Sequence, residues 1–267
     1  MADAVAAPVP LEAATVLLLR AAQPQAQVFM VVRHEQIDFA SGALVFPGGK
    51  VDAADGDPLL AAYVTGAEAL DVTARAFRVA AIREAFEECG VLLARERGEH
   101  VTLTAGRLKT LEPYRERLVK GEATMLDLVT REKLDLAADL LVAYSHWVTP
   151  IFMPKRFDTW FFLAHAPEDQ LAIHDGKESV DSVWISASDA LADLEARRRV
   201  ILFPTRLNLM MLDESRTPDH AIAAARARPI KTVEPWIDER DGHKWLTIRR
   251  DAGYALTETR IDPARRR

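Results

Sequence analysis

Residues 83–90 read Arg83-Glu84-Ala85-Phe86-Glu87-Glu88-Cys89-Gly90. They close a stretch, Thr73 to Cys89, that holds neither glycine nor proline and is dominated by Ala, Arg and Glu. Phe77, Ala81, Ile82, Ala85, Phe86 and Cys89 recur at helical spacing, which predicts one amphipathic helix. Gly90 is its natural stop, because glycine accepts the left-handed backbone that follows a last helical turn. On this helix Glu84, Glu87 and Glu88 stand at i, i+3 and i+4 and share one face. The apolar arc docks on a sheet. Like-charge pairs on a helix cost a few tenths of a kcal/mol in water, and more beside a buried sheet. A hard divalent cation, Mg²⁺ or Mn²⁺, would offset that repulsion, since it prefers carboxylate oxygens. Arg83, four residues before Glu87, can orient that carboxylate. Taken alone, the same spacing also suits an ordinary solvated acidic face.

Upstream, Ala14–Arg20 and Gln27–Arg33 read as two paired strands. Ala43–Phe46 is a third, broken by Pro47-Gly48-Gly49. Residues 50–72 read as a loop with room for a short helix. Downstream, residues 107–141 read as a charged helical segment. Trp147–Phe152, Thr159–His165 and Ser179–Ile185 read as strands. Ser186 is placed to cap a helix Ala187–Arg198, and Thr205–Asp213 is one more helix. Trp245–Arg250 and Tyr254–Thr259 flank Asp251-Ala252-Gly253 as a hairpin. Strands and helices without a regular βα alternation favour an α+β or sandwich-like arrangement. The expected organisation is one domain over 1–267: a core of about 14–212, the helical insertion and an extension from 213 onward.

Bulk properties narrow the function classes. The chain has 267 residues, 49% of them hydrophobic, and a net charge of -6. With a pI near 5.7 it lacks the basic surface of a general nucleic-acid binder. The single cysteine, Cys89, cannot form an internal disulfide. No convincing export signal or membrane span is visible, so a cytoplasmic location is expected. The histidines and Cys89 show no zinc-ligand spacing.

Residues 83–91, Arg-Glu-Ala-Phe-Glu-Glu-Cys-Gly-Val, resemble the second half of the Nudix box, and Phe46-Pro47-Gly48-Gly49-Lys50-Val51-Asp52 resembles its glycine-rich first half. Between them lies an insertion of about twenty residues, a length that costs little in loop entropy. Asp55 falls where the box usually carries its first acid. The stretched box is similar to that of the coenzyme A diphosphatase-like subgroup. Further matches are Thr149-Pro150, Arg156-Phe157-Asp158-Thr159-Trp160-Phe161-Phe162, Phe203-Pro204-Thr205 and Asn208-Leu209.

The resemblance implies an α/β/α sandwich around a mixed β-sheet, with a helical insertion. It implies a metal-dependent diphosphatase that hydrolyses a nucleoside diphosphate linked to another moiety, coenzyme A or acyl-CoA among them. ADP-ribose, NADH, nucleotide sugars and damaged nucleotides are the alternative substrates. A non-catalytic ligand-sensing or protein-binding module is the third reading, and the intact Arg83, Glu84, Glu87 and Glu88 argue against it. Glu87 and Glu88 are the expected metal ligands, with Glu84 as a third ligand or as the base. The Gly48 or Gly49 backbone is placed to offer a carbonyl to the metal. Glu178 is a second candidate base. Arg33 and Arg156 are candidate phosphate holders. Phe46 and Trp160 are candidates for base stacking, although core packing suits both, and His34 is a minor pocket candidate. A small-molecule substrate is the expected partner, without nucleic acid or membrane, and a homodimer contact through the insertion or the C-terminal hairpin is open.

Overall fold

The computed structural model describes residues 7–33, 42–170 and 179–261. In chain order the strands and helices are β1 (Leu11–Arg20), β2 (Gln27–Arg33), β3 (Leu44–Val45), β4 (Gly48–Lys50), β5 (Val64–Thr65), α1 (Val72–Cys89), β6 (Ala94–Glu96), α2 (Ala105–Thr110), α3 (Glu112–Val119), α4 (Met125–Glu132), β7 (Leu134–Ala137), β8 (Val142–Val148), β9 (Phe157–His165), β10 (Ser179–Ser186), α5 (Ala187–Glu195), α6 (Phe203–Asp213), α7 (Pro218–Ala227), β11 (Thr232–Val233), β12 (Trp236–Arg240), β13 (His243–Thr247) and β14 (Glu258–Arg260).

The central sheet runs β10-β2-β1-β9-β8-β11. It is mixed: β1 pairs β9 in parallel and β2 antiparallel. One edge of β1 is forked. Ala13–Thr15 pair with β4, while Leu19 and Arg20 pair with β2. Apolar layers cover both faces. Ala14, Val16, Leu18, Phe29, Val31 and Phe162 point into the layer beneath α1. Leu17, Leu19, Val28, Met30, Phe161 and Leu163 point into the layer beneath α5, α6 and α7. Burial on two faces explains why Val16–Leu19 is a continuous apolar run rather than an alternation. The result is the expected α/β/α sandwich.

The helical insertion adds α2, α3, α4 and β7 on the α1 side, and β7 completes a small sheet, β5-β7-β6, with strands that flank α1 in sequence. Helix therefore does not extend to residue 141. Lys133 turns left-handed (φ 56°) and ends α4, after which Leu134 and Leu136 alternate inward as strand β7. The strand expected at Trp147–Phe152 begins earlier and stops at Val148. The expected C-terminal hairpin shifts as well. The tight turn is Asp241-Gly242, with φ of 52° and 70°, joining β12 to β13. β13 does pair β14, but Arg250–Ala252 between them forms a short 3-10 turn. Helix α7 was not expected. Thr217 caps it and Pro218 opens it. Val233, Ile248 and Tyr254 of the extension are buried in the same layer as α6. Among the described residues no helix is long and apolar enough to cross a membrane.

Candidate active site

Helix α1 is fixed at both ends. Asp71 caps its start by accepting from the Ala74 amide at 2.7 Å, a contact worth about 1 kcal/mol. Gly90 closes it with φ 68°, and its amide donates to Phe86 at 3.0 Å. Phe77, Ile82, Ala85, Phe86 and Cys89 are buried against the sheet. Burying each large side chain contributes about 1.5–3 kcal/mol. The opposite arc holds Glu84, Glu87 and Glu88 toward β4.

Arg83 lies behind these acids, and its side chain is 8% exposed. Its Nε donates to Asp55 Oδ1 at 3.0 Å and its Nη2 to Asp55 Oδ2 at 2.9 Å. Nη2 also reaches the Lys50 carbonyl at 2.8 Å. Nη1 donates to Glu84 Oε1 at 2.8 Å and Glu87 Oε1 at 3.4 Å. Burial alone would lower the pKa of this guanidinium. The Asp55 hydrogen bond and the charges of Glu84, Asp55 and Glu87 outweigh burial and raise it above its ordinary value. Burial raises Glu87 above the usual carboxylate value, against the pull of Arg83. The expected Arg83–Glu87 contact is present, but Asp55 is the dominant partner.

The two glycines set the distance between strand and helix. A Cβ on Gly48 would lie 2.4 Å from the Ala14 carbonyl, and one on Gly49 would lie 2.5 Å from Glu84 Oε1. The Gly48 amide donates to Glu88 Oε2 at 3.0 Å. Bare glycine thus lets β4 sit against β1 on one side and the carboxylates on the other.

These groups line one end of a cleft of about 920 Å³. Among the described residues, the carboxylates of Asp52, Glu84, Glu87 and Glu88 line it, as do the cations Lys50 and Lys155. Its floor is the β1, β9 and β8 face that carries Thr15, Phe161 and Trp147. The first turn of α6 borders it, and that helix starts at Leu202 without a side-chain cap. Pro204 carries no N–H, so the Phe203 and Thr205 amides, with the helix dipole, are what this turn offers an anion. Among the described residues, no three Asp, Glu, His or Cys side chains stand as a ready metal cluster. Glu84 and Glu87 are turned onto Arg83, and Glu88 onto Gly48. The donor chemistry still fits a hard divalent cation, because among the described residues the carboxylates lining the cleft outnumber the lysines.

The structure therefore brings Glu84, Glu87, Glu88, Gly48 and Phe46 to one cleft, with Phe46 also buried in the layer under α6. Arg83 stands behind it. Arg156 is a correction: it does not line the cleft. Its Nε donates to the Thr149 carbonyl at 2.9 Å, Nη1 to the Pro8 carbonyl at 3.0 Å and Nη2 to Glu234 at 2.6 Å. Those bonds tie the N-terminal segment and the segment after β11 to the β8–β9 loop. Trp160 belongs to the other layer, stacked on His146 at 4.3 Å. Glu178, His34 and the side chain of Arg33 lie outside the described residues. Lys50, Lys155 and the α6 amides were not picked out from sequence, because only the folded chain brings them to the acids.

A model described as the NUDT19 Nudix domain matches residues 61–211, more than half of the chain. The acyl-coenzyme A diphosphatase NUDT19 of Xenopus laevis is 24% identical over 211 residues, covering 64% of this chain and 56% of that protein. The Homo sapiens protein of the same name is 38% identical over 125 residues, covering 43% of this chain and 33% of that protein. The chain thus spans about half, or less, of these two relatives. Among solved structures, a NUDIX hydrolase from Alicyclobacillus acidocaldarius superposes with a TM-score of 0.71 at 27% identity, covering 80% of this chain and 96% of that one.

Proposed function

The chain belongs to the NUDT19 group of Nudix hydrolases, and from that membership we propose that it is a divalent-metal-dependent diphosphatase whose substrate is coenzyme A or an acyl-coenzyme A. The observation that carries this reading is the placement of Glu84, Glu87 and Glu88 beside Gly48 and Gly49 at one end of a cleft whose remainder is largely apolar. An acidic end suits a metal-bound diphosphate, and the apolar remainder suits the group attached to it.

In this reading Glu87 and Glu88, with the Gly48 backbone carbonyl, hold the Mg²⁺ or Mn²⁺. Glu84 is the third ligand or the base that orients water. The bound cation would neutralise phosphate charge and lower the pKa of the attacking water. Arg83 holds Glu84 and Glu87 beside the cleft, from where they would turn to the cation when it binds. Lys50, Lys155 and the first-turn amides of α6 receive phosphate oxygens. Glu178 is the alternative base, and Arg33 a further phosphate contact. Water adds to one phosphorus, the bridging P–O bond breaks, and two phosphate monoesters leave. From coenzyme A these are 3′,5′-ADP and phosphopantetheine.

The test is a substrate panel with added Mg²⁺ or Mn²⁺, read by product mass. Coenzyme A or its acyl esters should be cleaved. Glu87→Gln and Glu88→Gln should each lower turnover at least about a hundredfold, as lost metal ligation does. Cleavage of ADP-ribose or NADH with coenzyme A untouched would overturn the substrate, and unchanged turnover in both variants would overturn the site.

A further inference from the structure

The far wall of the cleft is built by the C-terminal extension, which lies beyond the region matched by the family model. Pro235, Leu246 and Ile261 reach the cleft from it. On β13 the side chains alternate. Trp245 packs under the Arg240 guanidinium on one face, 5.3 Å from its ring centre, while Leu246 faces the cleft and Ile248 is buried on the same side. The wall is anchored to the floor. Trp147 Nε1 donates to the Tyr254 hydroxyl at 2.9 Å, and that hydroxyl donates to Asn208 Oδ1 on α6 at 2.9 Å. The Ile261 amide donates to the Lys244 carbonyl at 2.8 Å. Facing this wall are Phe46, Phe161 and Phe203. The side chains of Pro235, Leu246 and Ile261 thus line the same cleft as Phe46, Phe161 and Phe203, and this apolar part of the lining forms an arm of the cleft apart from its acids.

We propose that this arm is a subsite for an unbranched apolar chain carried by the substrate, and that Leu246 sets the chain length it accepts. The proposal rests on the substrate reading above and adds the location of the chain. The carboxylates would exclude a fatty chain, and the pantetheine between diphosphate and thioester carries the chain away from them, to where the aromatic and aliphatic lining offers contact. Each methylene buried there should strengthen binding about fourfold until the arm is full.

The experiment compares acetyl-, octanoyl- and palmitoyl-coenzyme A on the wild type, Leu246→Asn and Leu246→Trp. The octanoyl-to-acetyl ratio of kcat/KM within each protein cancels losses of folded enzyme. It should exceed about tenfold in the wild type, fall toward one in Leu246→Asn, and move in favour of the shorter chain in Leu246→Trp. Calorimetric binding of the same esters without added metal reads the subsite without turnover. Absence of hydrolysis with any ester would overturn the substrate reading alone. Equal affinity for the acetyl and octanoyl esters, or an identical ratio in all three proteins, would overturn the subsite.

Discussion

Arg83 holds Asp55 in a fork, Nε to Oδ1 at 3.0 Å and Nη2 to Oδ2 at 2.9 Å, across 28 positions of sequence. The pair clamps the two ends of the inserted segment together, so the length between them is not felt in the cleft. Asp55 also accepts from the Asp52 amide at 2.8 Å, which fixes the turn leaving β4. The acid therefore reaches the active end through Arg83.

Removing Arg83 should leave Asp55 buried and uncompensated. Arg83→Gln is expected to lose about 3–5 kcal/mol of stability, the range for breaking a buried ion pair. Adding Asp55→Ala removes the orphaned charge and should recover part of that loss. Urea unfolding of the two single variants and the double variant checks this. A double variant no more stable than Arg83→Gln would show that the pair does not act as a unit.

The two glycines should fail differently when each becomes alanine. At position 48 the added carbon meets the backbone of β1, which cannot yield without parting the strands. Gly48→Ala should lower stability by about 2 kcal/mol or more, as overpacking against rigid backbone does. At position 49 it meets the Glu84 carboxylate, a side-chain end that can swing away. Gly49→Ala should therefore cost turnover more than stability. Melting temperature and kcat measured on both variants separate the two effects.

Adjacent basic residues should also part ways. Arg156 spends its donors on Thr149, Pro8 and Glu234. Arg156→Ala should cost about 1–3 kcal/mol of stability for the buried polar groups it strands and leave KM unchanged. Lys155 lines the cleft. Lys155→Ala should raise KM about tenfold, which corresponds to one charge-assisted phosphate contact of about 1.4 kcal/mol. Equal KM values in the two variants would remove Lys155 from the substrate site.

Two buried tyrosines predict an alkaline limit. Burial raises both Tyr144 and Tyr254 above their ordinary pKa. The folded chain keeps these phenols neutral, while the unfolded chain ionises them near pH 10. Their contribution to stability is thus complete below about pH 10 and is lost as pH rises further. Urea midpoints should fall between pH 10 and 11, and Tyr254→Phe should make that decline shallower. A decline as steep as the wild type's would mean Tyr254 takes no part.

Much of the fold was legible because local pattern and tertiary burial agree. The helix from Val72 to Cys89 follows a run free of glycine and proline that Gly90 ends, and Ser186 caps α5 as its sequence promised. Helix α7 and the Asp241-Gly242 turn carried local signals, Thr217-Pro218 and an Asp-Gly pair, that the sequence reading passed over. β7 was hidden for a different reason. Leu134–Ala137 is too short for its alternation to outweigh the helical residues before it. At the site, spacing put the three glutamates on one helix face, and only the resemblance of the flanking residues to the two box halves marked that face out from a solvated acidic one. Arg156 was misplaced because a sequence motif cannot tell which way an arginine turns, and Glu234 and Pro8 lie far away along the chain. The apolar wall was invisible for the same reason, since Leu246 and Ile261 come to one cleft with Phe46 only in the folded chain.

The register that sets Leu11 beside Phe157 and Leu19 beside His165 has a consequence for synthesis. As the chain leaves the ribosome, β1 emerges long before β9, with most of its hydrogen-bonding edge and both apolar faces unmatched. β2 can engage only its last residues, Leu19 and Arg20. Its full-length neighbour arrives only when β9 has been made, so the sheet's innermost strand is among the last to be completed. During that interval Val16–Leu19 is an exposed, uncharged β-forming run of the kind that aggregates or recruits a holding chaperone.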